Sequence, residues 1–368
     1  VSAAVPPTAT RVGWELHGIR ADIRTSNVEL MAYVRAHLGP AALAPQPSPD
    51  LLVDLDWRWG TGAATAEDGA ASAATGERVG RHLMESDGRL HWSRVPGFEG
   101  LSMAAGSGGS TVEVAASCRY APRDALARLR YLKAGRREKK TYRTFFKLLY
   151  YALYFPVAWF AERSRGWEIL HASAVEKDGR GLVLAGHGGA GKSTLALSLM
   201  ADPSFRFISD NLIFHDGKRI YSLPEPIRLD ASSLSAIRAE GFEPQPAGLP
   251  RTAHPKPTFR VEPGRVAPSA EAAALVVLRF TDHSFLRSLK VSEAAAQLVG
   301  ARDLVREVED YRSVAAWLGM ATAGSGAAPA PLRATAEGLA GAARGYLMGI
   351  GRDESVPETL SRLKEIFP

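Results

Sequence analysis

Hydrophobic and polar residues alternate over residues 14–23, which predicts a strand or a hairpin turning at His17-Gly18. Residues 27–38 change period. Leu30, Met31, Val34 and Leu38 fall on one side of a helix. Residues 51–59 return to alternation, with Asp54 and Asp56 on the polar side, and read as a strand. Residues 60–76 are rich in Gly, Ala and Thr and predict a mobile loop. Further strands are expected around Asp87-Gly88 and at residues 111–116. This region is α+β and holds no catalytic cluster. Substrate recognition and homo-oligomer contact are the roles it fits.

Residues 123–161 are mainly helical. Their most apolar part, 148–161, carries six aromatic residues and Pro156. It is too short to span a bilayer and reads as a buried helix pair broken at the proline. Residues 167–175 then predict a strand, 177–180 a tight turn, and 182–185 a second strand. A turn of four residues joins antiparallel neighbours only. After a helix at 194–200, residues 206–209 form a strand ending in Asp210-Asn211. A hairpin follows over 212–223, turning at Asp216-Gly217. Residues 234–239 are a short helix, 241–257 a Pro-rich flexible segment, and 273–280 an apolar strand. Helices are expected at 292–318 and 332–347, divided by a Gly/Ala/Pro linker at 321–331. A last amphipathic helix covers 358–367. The fold class is α/β. A recognition or oligomerisation region (1–122) and a basic helical connector (123–165) precede a mixed-sheet domain with C-terminal helices (166–368).

Composition changes this picture in three places. The 368 residues include one cysteine, Cys118, so no disulfide framework and no cysteine-rich metal site exists. That usage fits the cytoplasm. Residues 1–7 lack the basic and apolar regions of a signal peptide and read as a trimmed or disordered tail. The net charge of +6 hides a local run. Residues 123–147 hold ten Lys or Arg against Asp124 and Glu138, which makes that segment +8 and the remainder −2. Such a run is either a solvated helix face or a docking surface for an acidic peptide. No nucleic-acid reader motif accompanies it, and no membrane contact is expected.

The chemistry concentrates at residues 186–194. Gly186, His187, Gly188, Gly189, Ala190, Gly191, Lys192, Ser193 and Thr194 match the phosphate-binding pattern G-x-x-x-x-G-K-[ST] in full, between a strand and a helix. The glycines let successive N–H groups face one anion-sized hollow, and the helix adds its positive end. Lys192 is placed to reach terminal phosphates and Ser193 to take one position on Mg²⁺. His187 is unusual in such a loop and is expected to face solvent. Asp210 ends the strand after the loop helix, where metal and terminal phosphate lie. Asp216 is weaker, because Asp-Gly is an ordinary turn pair. His171 is either a hydrogen-bonded core histidine or a group acting on the terminal phosphate or on Asp210. The absence of a guanine-reading Asn-Lys-x-Asp motif and of a Leu-Ser-Gly-Gly-Gln signature favours ATP over GTP and disfavours a transport motor.

Four pieces of residues 170–280 resemble the catalytic domain of the HPr kinase/phosphorylase family, and more closely the HPr-kinase-like proteins of peptide-modification pathways. They are Leu-His-Ala-Ser-Ala-Val at 170–175, the 186–194 loop, Ser-Asp-Asn at 209–211, and Arg-Val-Glu-Pro-Gly-Arg at 260–265. The match covers under a third of the chain. The resemblance implies an ATP- and Mg²⁺-dependent kinase of a serine or other hydroxyl on a peptide, protein or small metabolite. It implies that His171, Lys192, Asp210 and Arg265 are catalytic, that Ser193, Asp210 and Glu225 hold the metal, and that Arg265 and Arg238 meet phosphate. The family's base is the second of two adjacent aspartates. Asn211 stands there, and an amide cannot accept a proton. Either Asp210 is the base, or positioning carries the reaction, or the chain is a nucleotide-dependent switch without transfer.

Overall fold

The computed structural model describes residues 10–60, 76–120, 131, 135–252, 254–303, 306–322 and 332–368. The expected N-terminal tail, most of the 60–76 loop, four basic residues of the 123–147 run and most of the 321–331 linker lie outside the described residues. The chain divides into two compact units. One is Val1–Phe160 with Leu249–Pro255 and Asp310–Gly326, and the other is Ala161–Gly248 with Lys256–Glu309 and Ala327–Pro368.

In the first unit β1 (Thr10–Leu16) and β2 (Ile19–Thr25) form a hairpin. His17 and Gly18 both take the left-handed conformation at its turn. A helix, Val28–Leu38, starts where the Asn27 side chain accepts the Leu30 N–H, and leads to β3 (Ala42–Leu43) and β4 (Leu51–Trp59). β5 (Glu77–Gly80), β6 (Leu83–Ser86), β7 (Arg89–Trp92), β8 (Leu101–Gly108) and β9 (Thr111–Tyr120) form an antiparallel meander, and β9 lies parallel to β4. The sheet order is β3-β1-β2-β4-β9-β8-β7-β6-β5. Trp14 meets Tyr154 edge-on at 5.6 Å and Trp57 meets Phe145 at 5.8 Å. The segments 249–255 and 310–326 belong here through His254 against Phe146 and Trp317 against Trp92.

The 148–161 stretch is buried but not broken at Pro156. The helix Arg136–Leu149 passes through a π-helical turn, Tyr150–Tyr154, straight into the helix Phe155–Arg165. The Phe155 N–H bonds back to the Tyr150 carbonyl. The widened turn carries the chain past a residue that has no N–H to donate, so the expected break does not occur.

In the second unit the strand expected at 167–175 is two strands, β10 (Glu168–Leu170) and β11 (Ala172–Lys177), with His171 between them. β11 runs antiparallel to β12 (Arg180–Gly186) across the Asp178-Gly179 turn, as the turn length requires. β13 (Arg206–Ser209), β14 (Ile213–His215) and β15 (Arg219–Tyr221) follow. β16 (Ile227–Arg228), β17 (Gln245–Pro246) and β18 (Thr258–Arg260) form a small separate sheet, so part of the Pro-rich segment is ordered pairing. β19 (Ser269–Thr281) lies parallel to β12, which makes the sheet mixed.

The main sheet runs β10-β14-β15-β19-β12-β11-β13. β10 and β11 are thus consecutive in sequence yet near opposite ends of the path. So are β13 and β14. Two short crossings, His171 and residues 210–212, join these ends. The sheet must therefore curl until its ends meet, and both crossings fall on one seam.

Residues 344–347, expected as helix, begin a strand instead. β21 (Arg344–Gly351) pairs parallel with β19 and antiparallel with β20 (Phe285–Leu289), which the periodicity did not reveal. Gly349 sits opposite Phe285, whose ring occupies the place a Cβ would take; Thr281 Oγ1 lies at 2.6 Å from that place. A fully buried strand has no alternation to distinguish it from a helix. Gly349→Val is expected to destabilise this unit by about 1–3 kcal/mol, the usual cost of overpacking. Urea unfolding of the variant against the natural chain measures it.

Candidate functional site

The loop enters from β12 and leaves into the helix Lys192–Leu199, with Gly191 as its left-handed N-cap. Gly186, Gly189 and Gly191 all have positive φ. A Cβ on Gly186 would lie 2.6 Å from the Leu278 carbonyl oxygen, so this glycine lets the loop sit directly on β19. Cβ atoms at Gly188, Gly189 and Gly191 would meet nothing within 4 Å. Side chains there would fill the hollow that the motif keeps open, and this fits a phosphate chain. Ala190 and Lys192 are buried, while His187 is exposed.

Lys192 Nζ donates to the carbonyls of Gly186 at 2.8 Å and His187 at 2.9 Å, which holds the ammonium over the loop. Burial lowers its pKa to about 8, opposed by the charges of Asp210 and Glu307. Ser193 Oγ donates to Asp210 Oδ1 at 2.7 Å. Ser173 Oγ donates to the same oxygen. Asp210 is thus tied to the loop helix and to β11 together. A hydroxyl and a carboxylate in contact at the loop suit Mg²⁺, which takes one or two protein oxygens and completes its shell with phosphate and water. Among the described residues, no group of three or more His, Cys, Asp or Glu is placed to hold a metal by itself.

His171 is buried on the seam, and its Nδ1 has no hydrogen-bond partner. Burial, with the nearby charges of Lys192 and Arg228, lowers its pKa to about 3. Those surroundings hold the ring in its neutral form. The Asp210 carboxylate is held by serines.

Asn211 occupies a left-handed turn at φ 69°, a conformation asparagine tolerates well. Its Nδ2 donates to Glu225 Oε1 at 3.0 Å. Glu225 Oε2 is enclosed and has no hydrogen-bond partner, although part of the residue reaches the surface. Enclosure raises the Glu225 pKa to about 8, helped by Glu307 and opposed by Arg228. Glu225 touches Asn211 and stands one residue removed from the Ser193–Asp210 contact.

Two residues were missed by sequence reasoning. Ser173 gives a weak local sign, a hydroxyl within the apolar run Ala-Ser-Ala-Val that needs a buried partner. Glu307 gives none. It lies in the helix Arg306–Ala321, far along the chain from the loop, and faces Arg228 at 3.9 Å.

Arg265 is not brought to this cluster. Its Nη2 donates to the carbonyls of Met200, Asp202 and Phe205, just beyond the end of the loop helix opposite the loop. Those carbonyls have no further helical turn to accept from, and the guanidinium satisfies them. Arg238 pairs with Glu243 on the surface. Asp216 accepts the N–H groups of Lys218 and Arg219 and the Tyr221 hydroxyl, a turn-forming role.

No family model matches the chain, and no curated protein sequence does. Among solved structures, the HPr(Ser) kinase/phosphatase from Coxiella burnetii is similar over 54% of this chain and 97% of its own, at 11% identity and a TM-score of 0.24. A correspondence this loose fixes neither family nor activity. No described helix is long and apolar enough to cross a membrane.

Two outcomes follow from these placements. Arg265→Ala is expected to cost about 2–3 kcal/mol of stability through three lost charge-assisted hydrogen bonds, with ATP affinity unchanged. Denaturant unfolding and calorimetric titration separate the two effects. The second concerns pH. A folded-state His171 pKa below the unfolded value means that the unfolded chain binds the extra proton. This contribution is full above about pH 6.5 and is lost as pH falls toward 3. Between pH 7 and pH 5 the natural chain should lose more stability than His171→Gln, measured by unfolding at each pH.

Proposed function

We propose that the loop-bearing unit binds ATP with Mg²⁺ and transfers the terminal phosphoryl group to a hydroxyl, with a serine of a peptide or protein as the leading acceptor and a small hydroxyl metabolite as the alternative. The observation that carries this reading is the Ser193 Oγ–Asp210 Oδ1 contact beside a complete phosphate loop whose lysine is held over it. Bound ATP and Mg²⁺ would supply the transferable group and the charge that bridges its phosphates.

The chain's own residues supply the rest. Loop N–H groups and the helix N-terminus bind the phosphates. The buried Lys192 ammonium neutralises developing charge. Asp210, fixed by Ser173 and Ser193, is aligned without reorganisation. The acceptor hydroxyl loses its proton to a carboxylate. Asp210, in contact with the loop helix through Ser193, is the carboxylate placed to take it. Because phosphoryl transfer has a loose transition state, positioning and electrostatics outweigh the strength of the base.

One observation favours a second reading, a nucleotide-dependent switch. The Asn211 amide is occupied in holding Glu225 and replaces a group able to take a proton. Product formation separates the readings. Incubation with γ-labelled ATP, Mg²⁺ and serine-containing peptides should label an acceptor. Lys192→Met and Asp210→Asn should each lower transfer about 10²–10³-fold, the scale of removing one transition-state contact. ATP-dependent partner binding with no labelled acceptor would favour the switch.

A further inference from the structure

The parallel strands β12, β19 and β21 end at one edge of the sheet, at Gly186, Thr281 and Gly351. The 186–194 loop leaves β12 at this same edge. A cavity of about 400 Å³ occupies this edge. Its lining includes Gly189, Lys192 and Ser193 of the loop and its helix, together with Phe280 and Ile350 from the C-terminal parts of β19 and β21. Phosphate-binding and apolar surfaces therefore belong to one continuous hollow.

Phe280 is the unusual member. It is 65% exposed, although its strand neighbours from Leu275 to Leu278 are buried. The ring thus offers a face with no packing duty in the fold. Ile350 beside it is buried and backs the wall. The lining also includes polar groups, Arg228 and, at the start of the helix Ala231–Ala239, Ser232 and Ser233. A ligand matching this hollow carries an anionic group for the loop and a flat apolar group for the Phe280 ring. A volume of this order is within the range of nucleotide-sized ligand pockets.

We infer that Phe280 is a stacking platform for the base of a nucleoside triphosphate whose phosphates lie in the 186–194 loop. The inference rests on the proposed nucleotide-binding role of that loop and adds where the base goes. Aromatic stacking accepts any base, because every base has a π-face, so the platform supplies affinity more than choice among bases. The purine or pyrimidine end should therefore contribute binding that a bare phosphate chain lacks.

Two probes, ATP and inorganic tripolyphosphate, test this by calorimetric titration of the full chain in the presence of Mg²⁺. Phe280→Ala removes an exposed ring and should leave thermal unfolding unchanged. It is expected to weaken ATP about ten-fold or more, on the scale of one lost stacking contact, and to leave tripolyphosphate affinity unchanged. Phe280→Tyr, which keeps the ring, should bind ATP as the natural chain does. ATP affinity unaltered in Phe280→Ala, with tripolyphosphate still bound, would overturn the base subsite and leave the loop reading standing. Equal loss of both probes in Phe280→Ala would also overturn it, since the ring would then act on the loop and not on the base. Failure of the natural chain to bind either probe would remove the loop reading and this inference with it.

Discussion

Asp210 Oδ1 accepts two hydroxyls, from Ser193 on the loop helix and Ser173 on β11. Asp210 itself sits in the crossing from β13 to β14. One oxygen therefore fastens the phosphate loop to two separate strands. Buried polar groups must be paired, and these three are paired with one another. The remaining site residues gather round this knot. His171 lies in the other crossing of the same seam, and Asn211, next to Asp210, reaches on to Glu225. The pairing of β11 with β13 is the reason: the two run antiparallel with Ala174 opposite Ser209, so His171, just before one, and Asp210, just after the other, come to the same end of the sheet.

The electrostatics of the cluster follow from the same enclosure. Burial lowers His171 and Lys192 and raises Glu225, each toward its neutral form. An anionic ligand would favour the charged forms of Lys192 and His171 and keep Glu225 protonated, and groups shifted in this way cluster at functional sites. Glu307 and Arg228 extend the network beyond the loop. Their charges act on Glu225 in opposite directions, and Glu307 also acts on Lys192. A change in Glu307 therefore acts on the loop lysine from a distant part of the chain.

Arg265 shows how a motif can mislead. Arg-Val-Glu-Pro-Gly-Arg at 260–265 suggested a phosphate-binding arginine. Its side chain instead satisfies three carbonyls beyond the loop helix. An arginine's five donors suit phosphate oxygens and peptide carbonyls equally well, and nothing local to residue 265 tells them apart. Pro156 teaches the converse. Its rule against helix interiors holds, but a π-helical turn met it without a break.

The amino-acid sequence by itself determined whatever depends on neighbours along the chain. The glycine spacing at 186–191 dictates the loop. The length of the 177–180 turn dictates an antiparallel partner for β12. Asn27 and the apolar period of residues 28–38 dictate the first helix. The tertiary structure decided what depends on distant pairing. β20 and β21 are strands because β19 offers an edge, and Gly349 leaves room for the Phe285 ring. Ser173 and Glu307 joined the site, and Arg265 left it, through contacts between residues far apart in sequence. Local patterns record conformational preference, whereas the partner of a buried polar group is chosen only when the sheet closes.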